Sequence, residues 1–486
     1  MRADALRQRL AEAGQLVSWP DDAPAEFHAL TADSRKVGTG CLFIAYAGTT
    51  SDGHAYAPVA AQAGAACVMA EHPVGGLTVP QILVASGRHA AALAAALFYG
   101  DPAAALDLLA VTGTNGKTTT VHVLRHLFAD TAPAGSIGTL GAVDGEGRLV
   151  PGTGSLTTPG PVELQATLAA LRDSGVKTVA LEASSHSLDQ GRLSGLRFRA
   201  AVFTNLTRDH LDYHHDEATY LTAKLKLQGY LADGGWEIVN ADAAAWQQLA
   251  VRAERLTFGV RHPADVRATE IAGDVRGMRY TLTARGASAR VELPLIGPFQ
   301  VENSLGAAGA ALALGRGVAQ VAERLGTTPQ VPGRMEKIAG TPCLVLRDYA
   351  HTPDGLERAL AAARPLAKGR LVVVFGCGGD RDRGKRPVMG RIAGRDADIA
   401  IVTSDNPRTE NPEGILDDIE EGMGNTPHLR IVDRRTAIAR AIAIARHDDL
   451  VLLAGKGHET YQVLGTEQVP FDEAAIVADA VQALAR

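Results

Sequence analysis

The stretch LDLLAVTGTNGKTTT, Leu106 to Thr120, joins an apolar strand to a glycine-broken loop that ends in Lys117 and Thr118. Leu108, Leu109 and Val111 read as a buried strand, and Val121, Leu124, Leu127 and Phe128 recur at helical spacing beyond the loop. A strand, a tight loop and a helix N-terminus in that order surround phosphate oxygens with backbone N–H groups. The lysine neutralises charge and the threonine hydroxyl reaches Mg²⁺. Val111 stands where the strict eight-position phosphate loop has its first glycine, so the working motif is the shorter G-T-N-G-K-T, Gly113 to Thr118. The chain must therefore fold around a nucleotide triphosphate site set in an α/β framework.

At 486 residues, 46% of them hydrophobic, the chain has room for about three domains with real cores. Its 48 basic and 54 acidic residues give a net charge of −6, which argues against a general nucleic-acid surface and makes any phosphate recognition local. Cys41, Cys67, Cys343 and Cys377 are far apart with no C-x-x-C pair, so reduced thiols are expected rather than disulfides or structural zinc. The opening MRADALRQRLAEAG is charged and amphipathic, and no stretch reaches the roughly 18 apolar residues of a membrane span. The expected address is cytoplasmic.

Residues 1–100 mix short β-type runs such as Cys41 to Tyr46 with an Ala-rich helical stretch, as in a small N-terminal α/β domain. From 101 to 332, the runs Leu108 to Val111, Thr178 to Leu181, Ala201 to Thr204 and Ile238 to Asn240 alternate with helices, predicting a mostly parallel sheet. Between 256 and 293, LTFGV, RYTLTA and RVELPLI read as antiparallel strands of a side sheet. TTPQVPGR, Thr327 to Arg334, has the composition of a boundary. Residues 333–486 then repeat a strand-then-loop unit four times: CLVLRDYAHTP, RLVVVFGCGGDRD, DIAIVTSDNPR and DLVLLAGKGHE. Each polar cluster falls at the carboxyl end of its strand, where open α/β sheets bind ligands. The Ala-rich runs read as base composition rather than structure.

Glu182, at the end of VALE, can hold Mg²⁺ opposite Thr118, since Mg²⁺ prefers oxygen ligands and bridges to substrate phosphates; the alternative is an ordinary exposed acid. TNLTRDHLDYHHD offers His210, His214 and His215 with Asp209 and Asp212. Without a cysteine or distant histidine to complete a zinc set, a divalent cation held by one histidine among oxygens fits better, leaving two histidines surface or structural. Lys224 in YLTAKLKL reads as a solvated helix lysine, indistinguishable from Lys226.

GTNGKTTT, LEASSH, TNLTRDHLDYH, the Lys224 helix, PLIGPFQVENSLGA, PGRMEK, RDYAHTPDGL, GCGGDRDRGKRPVMG, SDNPRTENP and AGKGHETYQ occur in one order along nearly the whole chain. In that order and spacing the sequence resembles the Mur ligases, most closely their diaminopimelate-adding members. DYAHTP and GCGGDRD with DNPR carry more of that resemblance than the phosphate loop does. The resemblance implies a three-domain α/β fold: an N-terminal uridine-nucleotide domain, a central phosphate-loop ATPase, and a C-terminal Rossmann-like domain that delivers the amino acid.

It further implies that Thr114, Asn115, Gly116, Lys117, Thr118, Thr119 and Thr120 cradle ATP, that Thr118 and Glu182 hold one Mg²⁺, and that His210 holds a second. Lys224 would be carboxylated by CO₂, turning a cation into an anion that shares metal. Asn303 would contact adenine, with Arg334 and Asp348 reaching the nucleotide across the interdomain cleft. Ala32, Ser34, Thr49, Thr50, Ser51, Thr157, Thr158, Ser184, Gln190 and Arg192 would hold a UDP-N-acetylmuramoyl dipeptide; Leu156, beside them, offers no side-chain hydrogen bond. Arg381, Asp405, Asn406, Pro407, Arg408, Gly455 and Glu459 would hold meso-diaminopimelate, Arg408 on its distal carboxylate and Glu459 on its distal ammonium.

The implied activity is ATP-dependent amide formation through an acyl phosphate in peptidoglycan synthesis, by a monomer. Three rivals are kept: ligation of L-lysine, a folylpolyglutamate synthetase that shares GTNGKT, and a phosphate-loop ATPase driving partner assembly. The DSR and GTTSDG segments and DNPR disfavour the second.

Overall fold

A computed structural model describes residues 1–48, 51–154 and 156–484. Among the described residues, three large sheets follow one another along the chain, each with its own core, and Tyr461–Leu464 pairs with Glu467–Pro470 in a small antiparallel fourth. The first has five strands in the order Leu16–Ser18, Gln81–Val84, Ala65–Ala70, Cys41–Ile44, Ala29–Thr31, parallel except for the first. Helix Gly87–Phe98, capped by the Ser86 hydroxyl, buries Ala90, Ala91, Ala94 and Ala95 in that core and packs on helix Pro161–Asp173. The Ala-rich run is thus structural, contrary to the compositional reading: small side chains let two helices approach closely. Val162 joins the N-terminal core, and Arg172 Nη1 donates to the carbonyls of Tyr99 and Gly100, at 3.0 and 3.1 Å.

The central sheet has ten strands. Its parallel heart runs Glu254–Gly259, Leu231–Asn240, Phe198–Phe203, Asp107–Thr112, Thr178–Glu182, Ala134–Gly138. The predicted strands lie here with slightly wider bounds. LTFGV does not: it falls in Glu254–Gly259 and runs parallel to Leu231–Asn240, so no separate side sheet exists. Only Phe258 and Gly259, at its end, are buried, so the strand lacks the continuous buried run that marks a central parallel strand. Val266–Asp274, unread in the sequence, pairs parallel with it, and only then do Gly277–Ala284 and Ala287–Leu293 add antiparallel strands to the same sheet.

Residues 326–335 carry neither helix nor strand and lead into a six-stranded sheet. Its order is Glu336–Ile338, Leu344–Asp348, Leu450–Ala454, Leu371–Phe375, Ile399–Val402, Leu429–Arg430, parallel after the first strand. All four strand-then-loop units are present, their loops together at the carboxyl edge, and the first of them, Asp348 to Gly355, also lines a cleft with the phosphate loop. The four cysteines are free and buried, and among the described residues no helix is long and apolar enough to cross a membrane.

Candidate functional site

Strand Asp107–Thr112 ends at Gly113 (φ +148°), the chain turns at Gly116 (φ +85°), and helix Lys117–Phe128 begins. Both glycines are required. A Cβ at Gly113 would collide with the Thr204 hydroxyl and one at Gly116 with the Asn303 amide, at backbone angles that L side chains resist. Thr114 faces the fold: its hydroxyl donates to the Thr207 carbonyl (3.0 Å) and lies 3.1 Å from the Tyr220 hydroxyl. Asn115 N–H is held by Asn205 (2.9 Å), and its amide donates to Asp354 of the C-terminal part at 2.8 Å. Thr118 accepts from Arg334 Nη2 at 3.0 Å, a second bond across the cleft.

Thr119 lines the same cleft, together with Glu182, Asn303, Arg334 and Asp348. Thr120 does not; it is fully buried, with its hydroxyl on the Asn303 carbonyl at 3.5 Å, because the helical turn carries it inward. This corrects its place in the phosphate cradle.

Lys117 and Lys224 converge. Lys117 Nζ donates to the carbonyls of Gly113 (2.9 Å) and Thr114 (2.8 Å), and Lys224 Nζ donates to the same Gly113 carbonyl at 2.7 Å. Lys224 is 1% exposed, its ammonium 4.5 Å from the centre of the Tyr220 ring, whereas Lys226 is exposed and pairs with Asp189. The solvated reading of Lys224 is therefore overturned: helix Glu217–Leu225 presses it into the phosphate loop. Burial, then the Lys117 charge, push its amine well below the ordinary lysine range, with Asp209 opposing.

Glu182 is 1% exposed rather than a surface acid, and accepts from the Thr139 N–H (2.9 Å) and hydroxyl (3.1 Å). His210, in left-handed backbone (φ +54°), stands 3.5 Å from Asp209 and edge-on to His186. His214 is buried against Tyr213 and Tyr220, and His215 is exposed, matching the structural and surface roles expected of them. Asp348 accepts from the Met335 N–H at 2.8 Å; burial pushes its carboxyl up to about 6, with Arg334 and backbone N–H groups pulling the other way.

A network gathers five of the ten expected uridine-nucleotide residues. Thr157 meets Thr139 at 3.2 Å, and Thr158 donates to the Glu182 carbonyl at 2.6 Å and to Ser184 at 3.1 Å. Arg192 holds the Thr158 carbonyl (2.8 Å) and the Gln190 amide (2.7 Å), and Gln190 donates to the Tyr213 hydroxyl at 3.1 Å. Leu156 is exposed beside them. Ala32 and Ser34 follow strand Ala29–Thr31 and Ser51 accepts from the Gly48 N–H; among the described residues no hydrogen bond joins these three to the network. Thr49 and Thr50 lie outside the described residues.

The second cleft opens beside the first and has a volume of about 930 Å³. Loops GCGGD and DNPR dock through glycine: a Cβ on Gly379 would collide with the Pro407 carbonyl, and one on Gly378 would come 2.9 Å from Arg408 Nη1. Arg408 (φ +51°) donates from Nη1 to the Gly379 carbonyl at 2.8 Å; among the described residues its Nε and Nη2 bond no protein group. Asn406 donates to Glu459 at 2.9 Å, and buried Lys456 donates to both Asn406 and Glu459 at 3.0 Å. Asp405 Oδ2 is buried without a partner, 2.5 Å from where a Cβ on Gly455 would stand. Arg381 is exposed at the rim, donating to the Asp380 carbonyl. Thr139, Tyr349, His351, Asp354, Lys385 and Lys456 were not singled out from sequence; five lie inside quoted motifs, whereas Thr139 follows a strand of small residues that gave no signal.

A phosphate loop in one cleft, with a second cleft lined by acids and arginines opening beside it, is the arrangement of a nucleotide-dependent enzyme. Family models for the Mur ligase family, catalytic domain (residues 26–99), the Mur ligase middle domain (111–311) and the Mur ligase, glutamate ligase domain (333–457) match this sequence. The chain belongs to the Mur ligase family. A Geobacillus kaustophilus protein named UDP-N-acetylmuramoyl-L-alanyl-D-glutamate--2,6-diaminopimelate ligase is 44% identical over 466 residues, 93% of this chain and 94% of that one. A Xanthomonas campestris protein of the same name is 45% identical over 468 residues, 93% of each chain. A solved structure of that name has a TM-score of 0.67 at 33% identity, covering 96% of this chain and 98% of its own.

Asp348 gives a pH prediction. Its carboxyl is raised from the ordinary value to about 6 in the folded state, so the protein loses stability as pH climbs from about 4 through 6 and the charge must be borne in the interior. Asp348→Asn never carries that charge. Its melting temperature relative to the parent should therefore rise between pH 4 and pH 7, then stay level; a difference that is constant across this range contradicts the assignment.

Proposed function

We propose that this protein ligates meso-2,6-diaminopimelate to UDP-N-acetylmuramoyl-L-alanyl-D-glutamate, at the cost of ATP, in peptidoglycan synthesis. It is an ATP-dependent amide ligase. The observation that carries the substrate is the Arg408 guanidinium, held by Nη1 alone beside an unpartnered Asp405 oxygen, in a cleft that meets the phosphate loop.

Residues 1–100 are the uridine-nucleotide domain, 101–332 the ATP domain and 333–486 the amino-acid domain. Thr114 to Thr119 cradle ATP, Lys117 on its β- and γ-phosphates, with Asn303 at the adenine and Arg334 and Asp348 reaching across. Ala32, Ser34 and Ser51 with Thr157, Thr158, Ser184, Gln190 and Arg192 hold the uridine nucleotide. The D-glutamate γ-carboxylate attacks the γ-phosphoryl group, and the amine then displaces phosphate through a tetrahedral intermediate. Positioning and charge neutralisation by Lys117 and Arg334 do most of the work, as in phosphoryl transfer generally.

Buried Glu182 and the Thr118 hydroxyl offer oxygen donors that fit one Mg²⁺, and His210, lining the same cleft, would hold a second. Mg²⁺ bound there supplies charge neutralisation at the phosphates. Lys224 fits a CO₂-derived carbamate: burial beside Lys117 favours its neutral amine, the form that adds CO₂, and the resulting anion pairs with Lys117 where an ammonium repels it. A cytoplasmic monomer is the corresponding setting. L-Lysine in the second cleft leaves Arg408 without a carboxylate, which disfavours that rival.

Two outcomes follow. Lys224→Ala should lose most ligase activity in a phosphate-release assay and regain part of it with added formate or acetate, which can occupy the vacated anion position; full activity without rescue contradicts the carbamate. For Arg408, a charge-assisted hydrogen bond is worth roughly 1.5–3 kcal/mol and an unpaired buried partner costs more. The parent should favour diaminopimelate over L-lysine by roughly 10³-fold. Arg408→Ala should lose diaminopimelate ligation and barely change the weak reaction with lysine. A parent that prefers lysine, or a variant that keeps the preference, contradicts the specificity.

A further inference from the structure

Joining a carboxylate to an ammonium through an acyl phosphate releases a proton, and the two clefts share few groups that could take it: Asp209, His210, Tyr349, His351 and Thr352 line both. On the premise of the ligase reading above, we propose that His351 is the catalytic proton acceptor for the attacking amine.

The other four groups are committed elsewhere. The Thr352 hydroxyl caps helix Pro353–Ala363, accepting the Gly355 N–H at 3.1 Å. Tyr349 lies under the Arg334 guanidinium, 4.6 Å from it, and burial raises its phenol, so it holds its own proton. Asp209 and His210 face each other, with Oδ2 and Nε2 3.5 Å apart, and His210 is the histidine assigned above to a divalent cation.

His351 is held differently. Its Nδ1–H donates to the Tyr349 carbonyl at 2.8 Å, fixing the tautomer and leaving the Nε2 lone pair, which no group among the described residues bonds. The ring packs on Tyr349 with centroids 4.6 Å apart, and Lys385 Nζ donates to the His351 carbonyl at 2.7 Å, so both ring and backbone are fixed. The charged and titratable groups that act on it are Lys385, Asp209, Arg334 and Tyr349. Burial, aided by Lys385 and Arg334, outweighs Asp209 and the Tyr349 carbonyl and lowers its pKa, so the imidazole is neutral at pH 7. Fixed geometry and a free lone pair are what a general base needs.

In the step itself the ammonium gives one N–H proton to Nε2, and the freed lone pair forms the C–N bond at the acyl-phosphate carbonyl. The tetrahedral intermediate collapses with cleavage of the bond from carbon to the phosphate oxygen. Phosphate leaves with that electron pair and takes the second N–H proton, while Nε2 returns its proton to solvent through the amino-acid cleft. Acyl phosphate and ammonium thus give amide, hydrogen phosphate and one proton, with no other reactant.

Hydroxylamine separates this role from a structural one, because it is unprotonated at neutral pH and needs no base to become a nucleophile. The full-length parent, His351→Gln and His351→Ala are each given ATP, the uridine-nucleotide dipeptide and either meso-diaminopimelate or hydroxylamine. In both variants the ratio of hydroxamate to tripeptide should rise on the order of 100-fold over the parent, the size of a general-base effect. Tripeptide formation by His351→Gln should keep climbing with pH where the parent levels off, and imidazole should restore part of it to His351→Ala. Equal loss of both products, or a ratio within about threefold of the parent's, overturns the assignment. A parent that makes neither product rejects the ligase reading instead.

Discussion

The amino groups of Lys117 and Lys224 both donate to one carbonyl oxygen, that of Gly113. Two positive charges so close in a buried setting repel, which pushes the Lys224 amine toward its neutral form, and the surroundings fix the arrangement. Thr204 and Asn205 of the neighbouring strand end press on Gly113, Tyr220 ties the Lys224 helix to Thr114, and Asn303 closes on Gly116. The pocket so formed demands anions. Phosphate is one such anion, and the carbamate proposed on Lys224 is another. Arg334 on Thr118 and Asp354 on Asn115 then bring the second cleft to the same point, so that in the proposed reaction carboxylate, phosphate and amine meet at one junction.

How far the sequence reveals this depends on what each residue relies on. The phosphate loop is legible because its strand and helix have opposite periodicities on either side of two glycines. The four C-terminal units are legible for a related reason: buried parallel strands are continuous apolar runs, and their loops are polar. LTFGV misleads because its parallel strand is buried only at Phe258 and Gly259 and so lacks the continuous apolar run of the others.

Lys224 and Lys226 occupy near-identical local sequence, and only docking of the helix on Gly113 makes one buried and the other solvated. Thr120 follows a motif string into the list of phosphate contacts, yet the helix turns it inward. Thr139 and His351 depend on strands far apart in the chain converging, which no local pattern reports. The resemblance to the Mur ligases supplied roles that residue chemistry alone left open, Lys224 above all.

The amino-acid cleft shows the same division. Gly378, Gly379 and Gly455 let backbone and side chains approach where any Cβ would collide, which is why the motifs are rich in glycine. Lys456, fully buried, anchors Asn406 and Glu459, while Asp405 Oδ2 and the outer nitrogens of Arg408 are left to a ligand. The central claim is that ATP is spent on the D-glutamate carboxylate rather than on water. It is tested by labelling that carboxylate with ¹⁸O, supplying ATP and meso-diaminopimelate, and weighing the phosphate released. An acyl-phosphate ligase transfers one ¹⁸O to each phosphate; unlabelled phosphate, or label arriving from ¹⁸O water instead, would contradict the account.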